Sequence, residues 1–214
     1  MENKALKARV SSLKREDYFN YANLHIHSDI SDGKEVFDTL IEQAQKLGLK
    51  HISITDHNTV EGYKKTKHLN DPILIPGVEF DCFYQTTLIH ILGYGIDFKN
   101  PCIEKLCAKN KNETKLDIIR LFHSRHPKDA IEGIHKAGGI AVFAHPCCSS
   151  VLSLDYLVKK LKDFGLDGIE AYYPYNRHRG IIKFHPRKKP FELAKKYDLI
   201  LTGGTDEHGS LLKH

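Results

Sequence analysis

Short apolar runs alternate with amphipathic stretches along the whole chain. One run ends at Leu24, and others occupy residues 51–55, 73–75, 87–92, 140–144, 168–171 and 199–202. Each is too short for a helix and rich in β-branched residues or Leu, so together they predict seven strands. Between the first two, Val36, Leu40, Ile41, Ala44 and Leu47 recur on one helical face closed by Gly48, which predicts a helix over residues 35–47. Further helices are predicted over residues 59–69, 101–122, 127–137, 154–164 and 190–197, with Pro127 at a first-turn position. No clear helix separates the runs at 73–75 and 87–92. Such alternation implies an α/β protein with a parallel sheet. Leu6, Val10 and Leu13 form a helical stripe, so residues 1–18 are expected to be a helical leader covering the gap between the last and first strands. Residues 19–214 then form one domain, and with six residues after His208 the last strand is expected to lack a helix of its own.

Composition narrows the class without choosing a function. The chain has 214 residues, 41% apolar and 28% charged, which suits one globular domain with a sizeable core. A net charge of +5 would tolerate a phosphorylated partner but falls short of a dedicated nucleic-acid-binding face. Much of it lies in Lys/Arg runs that read as solvated surface. No stretch approaches the roughly 18 apolar residues of a membrane span, and the start lacks the apolar segment of a secretion signal. The five cysteines are odd in number and contain no CxxC pair, which fits buried thiols in a reducing, cytoplasmic compartment.

The chemistry lies at the ends of the apolar runs. His25, His27, Asp32, His57, Glu79, His90, His145, Asp206 and His208 follow one another along the chain, nearly all next to a predicted strand. Parallel α/β architectures carry their active sites just beyond the C-terminal ends of their strands. Imidazoles and carboxylates gathered there are a ligand set for Zn, Mn or Fe. Seven such units favour a closed barrel over an open sheet. His25-x-His27 and Asp206-x-His208 have the i, i+2 spacing that places two ligands on one strand face. In Asp56-His57 only one neighbour can point at the site; His57 is the expected ligand, with Asp56 fixing the turn or steadying a ligand. Glu79 follows Pro76-Gly77-Val78, and its carboxylate can bridge two cations, as a neutral imidazole cannot. Asp32, in Ser31-Asp32-Gly33, also suits a plain turn, and His145 a buried core position.

Asn23-Leu-His-Ile-His-Ser, Ser31-Asp-Gly, Ile54-Thr-Asp-His-Asn-Thr, Gly77-Val-Glu, His90-Ile-Leu-Gly-Tyr, Ala144-His-Pro and Gly204-Thr-Asp-Glu-His-Gly resemble, in order, the motifs of the PHP (polymerase and histidinol phosphatase) superfamily. The resemblance covers about residues 20–209. It implies a distorted, TIM-like (β/α)7 barrel that binds two to three divalent metals (Mn, Fe or Zn) and cleaves phosphoesters. One metal would take His25, His27, Glu79 and Asp206; a second would share Glu79 with His90 and His145; a third would take Asp32, His57 and His208. Asp32, His57, Glu79, Asp206 and His208 are thereby expected to serve catalysis directly. Two bridged cations would bring the pKa of a shared water towards neutrality and align it with phosphorus.

Ser31-Asp-Gly and Gly168-Ile-Glu-Ala-Tyr-Tyr-Pro are more similar to the nucleoside bisphosphate phosphatase and oligoribonucleotide exonuclease branch than to the histidinol phosphatases. That branch commonly inserts a helical lid between the His90 and His145 motifs, where only about 50 residues lie here. The expected substrate is a small phosphorylated metabolite, a nucleotide or an oligonucleotide end, with no membrane and no obligate protein partner. Arg177, His178 and Arg179 are candidate phosphate contacts, or solvated loop charges. Two other readings remain: an amidohydrolase-like enzyme acting on a non-phosphate bond, and a non-catalytic PHP module.

Overall fold

A computed structural model of the chain describes residues 2–115, 124–178 and 184–209. Two leader helices, α1 (Glu2–Ser12) and α2 (Arg15–Asn20), precede strand β1 (Ala22–Ile26). Then come α3 (Phe37–Lys46), β2 (His51–Ile54), α4 (Glu61–Lys65), β3 (Gly77–Tyr84) and β4 (Thr87–Tyr94). Short helices α5 (Pro101–Leu106) and α6 (Asn112–Lys115) lead towards α7 (Pro127–Lys136), β5 (Ile140–Phe143) and a 3-10 turn over Pro146–Cys148. Helix α8 (Leu154–Asp163), β6 (Gly168–Tyr172), the four-residue α9 (Tyr175–His178), α10 (Lys189–Tyr197) and β7 (Ile200–Gly203) follow. No helix among the described residues is long and apolar enough to cross a membrane.

The strands form two sheets rather than one closed ring. β1 and β2 pair in parallel, while β3-β4-β5-β6-β7 form a five-stranded sheet. The two approach one another through isolated parallel bridges, Ile52 with Leu74, His57 with Glu79, and Ile26 with Glu207. The expected all-parallel arrangement fails at β4, which runs antiparallel to both β3 and β5. The cause is local: Gln85 and Thr86 are a two-residue turn, with Gln85 at φ 56°, and so short a connection permits only an antiparallel hairpin. The run at 73–75 is not itself a strand. Pro76 brings no N–H, and the ladder begins at Gly77, so Glu79 sits within a strand instead of beyond its end, while His90 lies inside its strand as expected.

Strands buried on both faces explain the continuous apolar runs. Ile91, Phe143 and Ile169 belong to one buried cluster with Leu40 of α3, Ile131 and Ile134 of α7, Val158 and Leu161 of α8 and Leu193 of α10. Their neighbours Leu92, Tyr94, Ile140 and Val142 turn inward and meet Leu24, Ile75, Val10 and Tyr18. Val10 and Tyr18 from the leader are fully buried in this inner cluster, and the leader touches both β7 and β1. On β4, Tyr94, Leu92 and His90 thus form one inward column, apolar below and basic above.

Candidate metal centre

The inward face of the β3–β4 hairpin carries Glu79, Asp81 and His90, because Glu79 and Asp81 are two apart and Asp81 pairs directly with His90. β1 brings His25 and, just past its end, His27; both are fully buried. His57 follows β2 at the bridge to Glu79. His145, at φ 27°, and Asp206, at φ 50°, stand where the chain turns sharply after β5 and β7. Asp206 donates its N–H to the His25 carbonyl, and His27 to that of Glu207, which binds the last loop to β1. Gly204 makes this approach possible: a Cβ there would lie 2.3 Å from that of His25.

All nine candidates converge. Oε2 of Glu79 lies 3.1 Å from Nε2 of His25, 3.1 Å from Nε2 of His27 and 3.5 Å from Nε2 of His57. Its Oε1 faces Nδ1 of His90 at 3.0 Å and Nε2 of His145 at 3.2 Å. Asp206 Oδ1 closes on His27 at 3.1 Å and His25 at 3.4 Å. Asp32 lies 3.3 Å from His208, 3.6 Å from His27 and 3.7 Å from His57. Three sets have mutually close donor atoms: His25, His27, Glu79 and Asp206; His27, Asp32, His57 and His208; and His57, Glu79 and His90. These sets differ from those the resemblance implied: His27 and His57 enter two groups each, and His57 takes the place of His145 beside Glu79 and His90.

These donors fit a cation. Ions with bonds of about 2.0–2.2 Å hold their ligand atoms roughly 3.0–3.5 Å apart, the separation seen here. Neither ring nitrogen of buried His27 makes a hydrogen bond, although carboxylate oxygens lie close by. The electrostatics agree. Burial opposes a charge on His25, yet Glu79, Glu170 and Asp206 outweigh it and hold its pKa well above normal. His27 is pushed the same way, to about 10, by Asp206 and Glu79 against the penalty of burial. Burial would raise Glu79, but His25, His57 and His90 hold it well below the carboxylate range. His57 goes down, chiefly through burial. The lone pairs of His25 and His27, which attract protons this strongly, also compete for a divalent cation, and the lowered His57 is free to offer its own as a neutral imidazole.

Around the donors stands a layer only partly foreseen. Asp56 accepts from Ser28 N–H at 2.8 Å, Ser28 Oγ at 2.6 Å and Ser31 Oγ at 2.6 Å, fixing the loop after β1 as expected. Glu170 was missed: its Oε1 lies 3.0 Å from Nδ1 of His25, and its Oε2 accepts the His145 N–H. A lone carboxylate inside the apolar run of β6 was its signal. Asp81, at 0% exposure, was missed because the sequence reading placed no strand through Glu79. Tyr173, which donates to Asp206 Oδ2 at 2.6 Å, stands in the Gly168-Ile-Glu-Ala-Tyr-Tyr-Pro motif, which by itself assigned it no role. Arg177 and His178 end α9, with only their backbones described; Arg179 lies outside the described residues.

Comparison with known proteins adds an independent line. A family model described as "PHP domain" matches residues 23–147. The chain is 25% identical to a phosphoribosyl 1,2-cyclic phosphate 1,2-diphosphodiesterase of Eggerthella lenta, over 87% of this chain and 94% of that enzyme. It is 32% identical to a 5′-3′ exoribonuclease of Salmonella typhimurium over 53% of this chain, but that match spans only 41% of the exoribonuclease. The fold resembles that of a protein from Bifidobacterium adolescentis described as a metal-dependent phosphoesterase, with a TM-score of 0.71 at 22% identity over 89% of this chain and 88% of the other.

Proposed function

This chain belongs to the PHP domain family, and from that premise we propose that it is a metal-dependent hydrolase whose substrate is a small phosphorylated metabolite bearing a phosphomonoester or phosphodiester. The observation that carries the reading is Glu79, whose two oxygens face different groups of imidazoles as a bridging carboxylate must. His25, His27, Glu79 and Asp206 would hold one divalent ion, Glu79 with His90 and His145 a second, and Asp32, His57 and His208 a third. Ions of Mn, Fe or Zn bound there would acidify water and neutralise phosphoryl charge. Asp32 and His208, 20% and 37% exposed, line the open side from which an ester would enter. Tyr173 holds Asp206 by Oδ2, which leaves Oδ1 turned to the imidazoles. Similarity over 94% of a diphosphodiesterase of a sugar cyclic phosphate, at 25% identity, supports a small substrate. A 5′-3′ exoribonuclease of Haemophilus influenzae that matches over 89% of its length at 23% identity makes an oligonucleotide end the substrate to test beside it. No disulfide joins any of the five cysteines, all of them among the described residues, and a reducing compartment is the proposed setting.

The test is a hydrolysis panel on protein stripped of metal and reloaded with Mn, Fe or Zn. It should contain sugar cyclic phosphates, sugar and nucleoside monophosphates, a 5′-phosphorylated oligonucleotide and unphosphorylated amides. We expect metal-dependent phosphoester cleavage, fastest on the small esters. Turnover of amides alone would favour an amidohydrolase, and no turnover with every metal loaded would favour a binding module.

A further inference from the structure

Asp81 lies beneath two of the candidate ligands, and its surroundings decide what it can do. Its Oδ1 is 3.0 Å from Nδ1 of His57 and 3.2 Å from Nε2 of His90. On each ring the opposite nitrogen faces the metal centre: Nε2 of His57 towards Glu79 and Asp32, Nδ1 of His90 towards Glu79. One carboxylate oxygen thus meets the two imidazoles on opposite kinds of nitrogen.

The cause can be followed outward by donor and acceptor logic. Arg125 can only donate, and its Nη1 donates to Oδ1 of Asn58 at 2.7 Å. That contact fixes which end of the Asn58 amide is oxygen, and the Asp81 N–H donating to the same atom at 2.9 Å agrees. The Asn58 NH2 must then face Oδ2 of Asp81, to which it donates. With Oδ2 taken by the amide, Oδ1 stays turned to the two rings, 3.0 and 3.2 Å from their nitrogens. Asn58 sits at φ 58°, in the left-handed region that Asn tolerates, with its own N–H on the Glu79 carbonyl at 2.7 Å. The insert between β4 and β5 closes over this chain: Arg125 Nε donates to the Leu106 carbonyl at 2.6 Å, and Ala108 N–H to that of Asn58 at 2.7 Å.

We propose that Asp81 is a positioning residue that sets opposite tautomers on His57 and His90, and that Arg125, through Asn58, holds it in that role. The proposal rests on the reading of His57 and His90 as metal ligands. Partners of this kind typically change metal affinity by about 10–100-fold. The insert between β4 and β5 is thereby tied to the metal centre, since Arg125, which holds the Asn58 amide, is itself bound to the Leu106 carbonyl.

The experiment measures zinc affinity by chelator competition and imidazole tautomers by 15N NMR. It compares wild type with Asp81→Asn, Asn58→Gly and Arg125→Lys. Asn58→Gly keeps the left-handed backbone and removes only the amide, so it remains informative if Asp81→Asn folds poorly. We expect His57 protonated on Nδ1 and His90 on Nε2 in wild type. We also expect zinc binding at least tenfold weaker in Asn58→Gly and Arg125→Lys, with mixed tautomers. Wild-type affinity in both variants, or the same tautomer on both rings in wild type, overturns the proposal. A wild type that binds zinc tightly but cleaves no phosphoester would overturn the proposed function and leave this inference standing.

Discussion

Glu79 carries more of the centre than any other side chain, because its two oxygens serve separate groups. Removing it leaves Nε2 of His25 and of His27 with Asp206 as their one carboxylate among the described residues, and His90 and His145 with no bridging carboxylate. Glu79→Ala is therefore expected to lose both ions of the pair, whereas His57→Ala should lose mainly the third. Loss of the bridged ions removes several kcal/mol of transition-state stabilisation, a fall in rate of about a thousandfold or more. Elemental analysis showing two ions still bound to Glu79→Ala would refute the bridge.

Among the elements, α1 is held by an unusual polar clamp. Arg9 reaches from it to β2, where Nε donates to Nδ1 of His51 at 2.7 Å and Nη2 donates to the Lys50 carbonyl at 2.8 Å. An acceptor nitrogen must be unprotonated, and burial together with the Arg9 charge lowers the pKa of His51 accordingly. The sign follows from linkage. The unfolded chain takes up a proton near pH 6.5 before the folded one does, so His51 costs stability as pH falls through that range. His51→Gln, whose amide oxygen can still accept from Arg9, should flatten this part of the profile. Melting temperatures between pH 7.5 and 5.5 should converge for the two proteins as pH rises; parallel curves would count against the clamp. Arg9→Ala should cost roughly 1–2 kcal/mol at neutral pH.

At the scale of the whole molecule, two sheets meet with few backbone hydrogen bonds between them, and the candidate ligands lie on both sides of that seam. His25 and His27 come from the small sheet, while Glu79, His90, His145 and Asp206 come from or follow strands of the large one. Cations bound there would clasp the sheets together. A ligand at a hundred times its Kd contributes about 2.7 kcal/mol, which for a chain of this size raises Tm by roughly 5–10 °C. Calorimetry of stripped and reloaded protein tests this, and an unchanged Tm despite confirmed binding would mean that the ions bind the unfolded chain equally well and do not clasp the sheets.

What the sequence determined by itself was the periodicity and the donors. Helices α3, α7, α8 and α10 fall within a residue or two of expectation, because one apolar face at helical spacing is a local signal. The nine candidates were legible because imidazoles and carboxylates beside apolar runs are costly unless something holds them. Tertiary structure alone decided the rest. The reversal at β4 depends on which strand edge is available, and the unclosed seam depends on pairing between segments distant in sequence. Asp81, Glu170 and Tyr173 could not be assigned roles beforehand, since each acts through a partner 24 to 145 residues away that only the folded chain brings within hydrogen-bond reach.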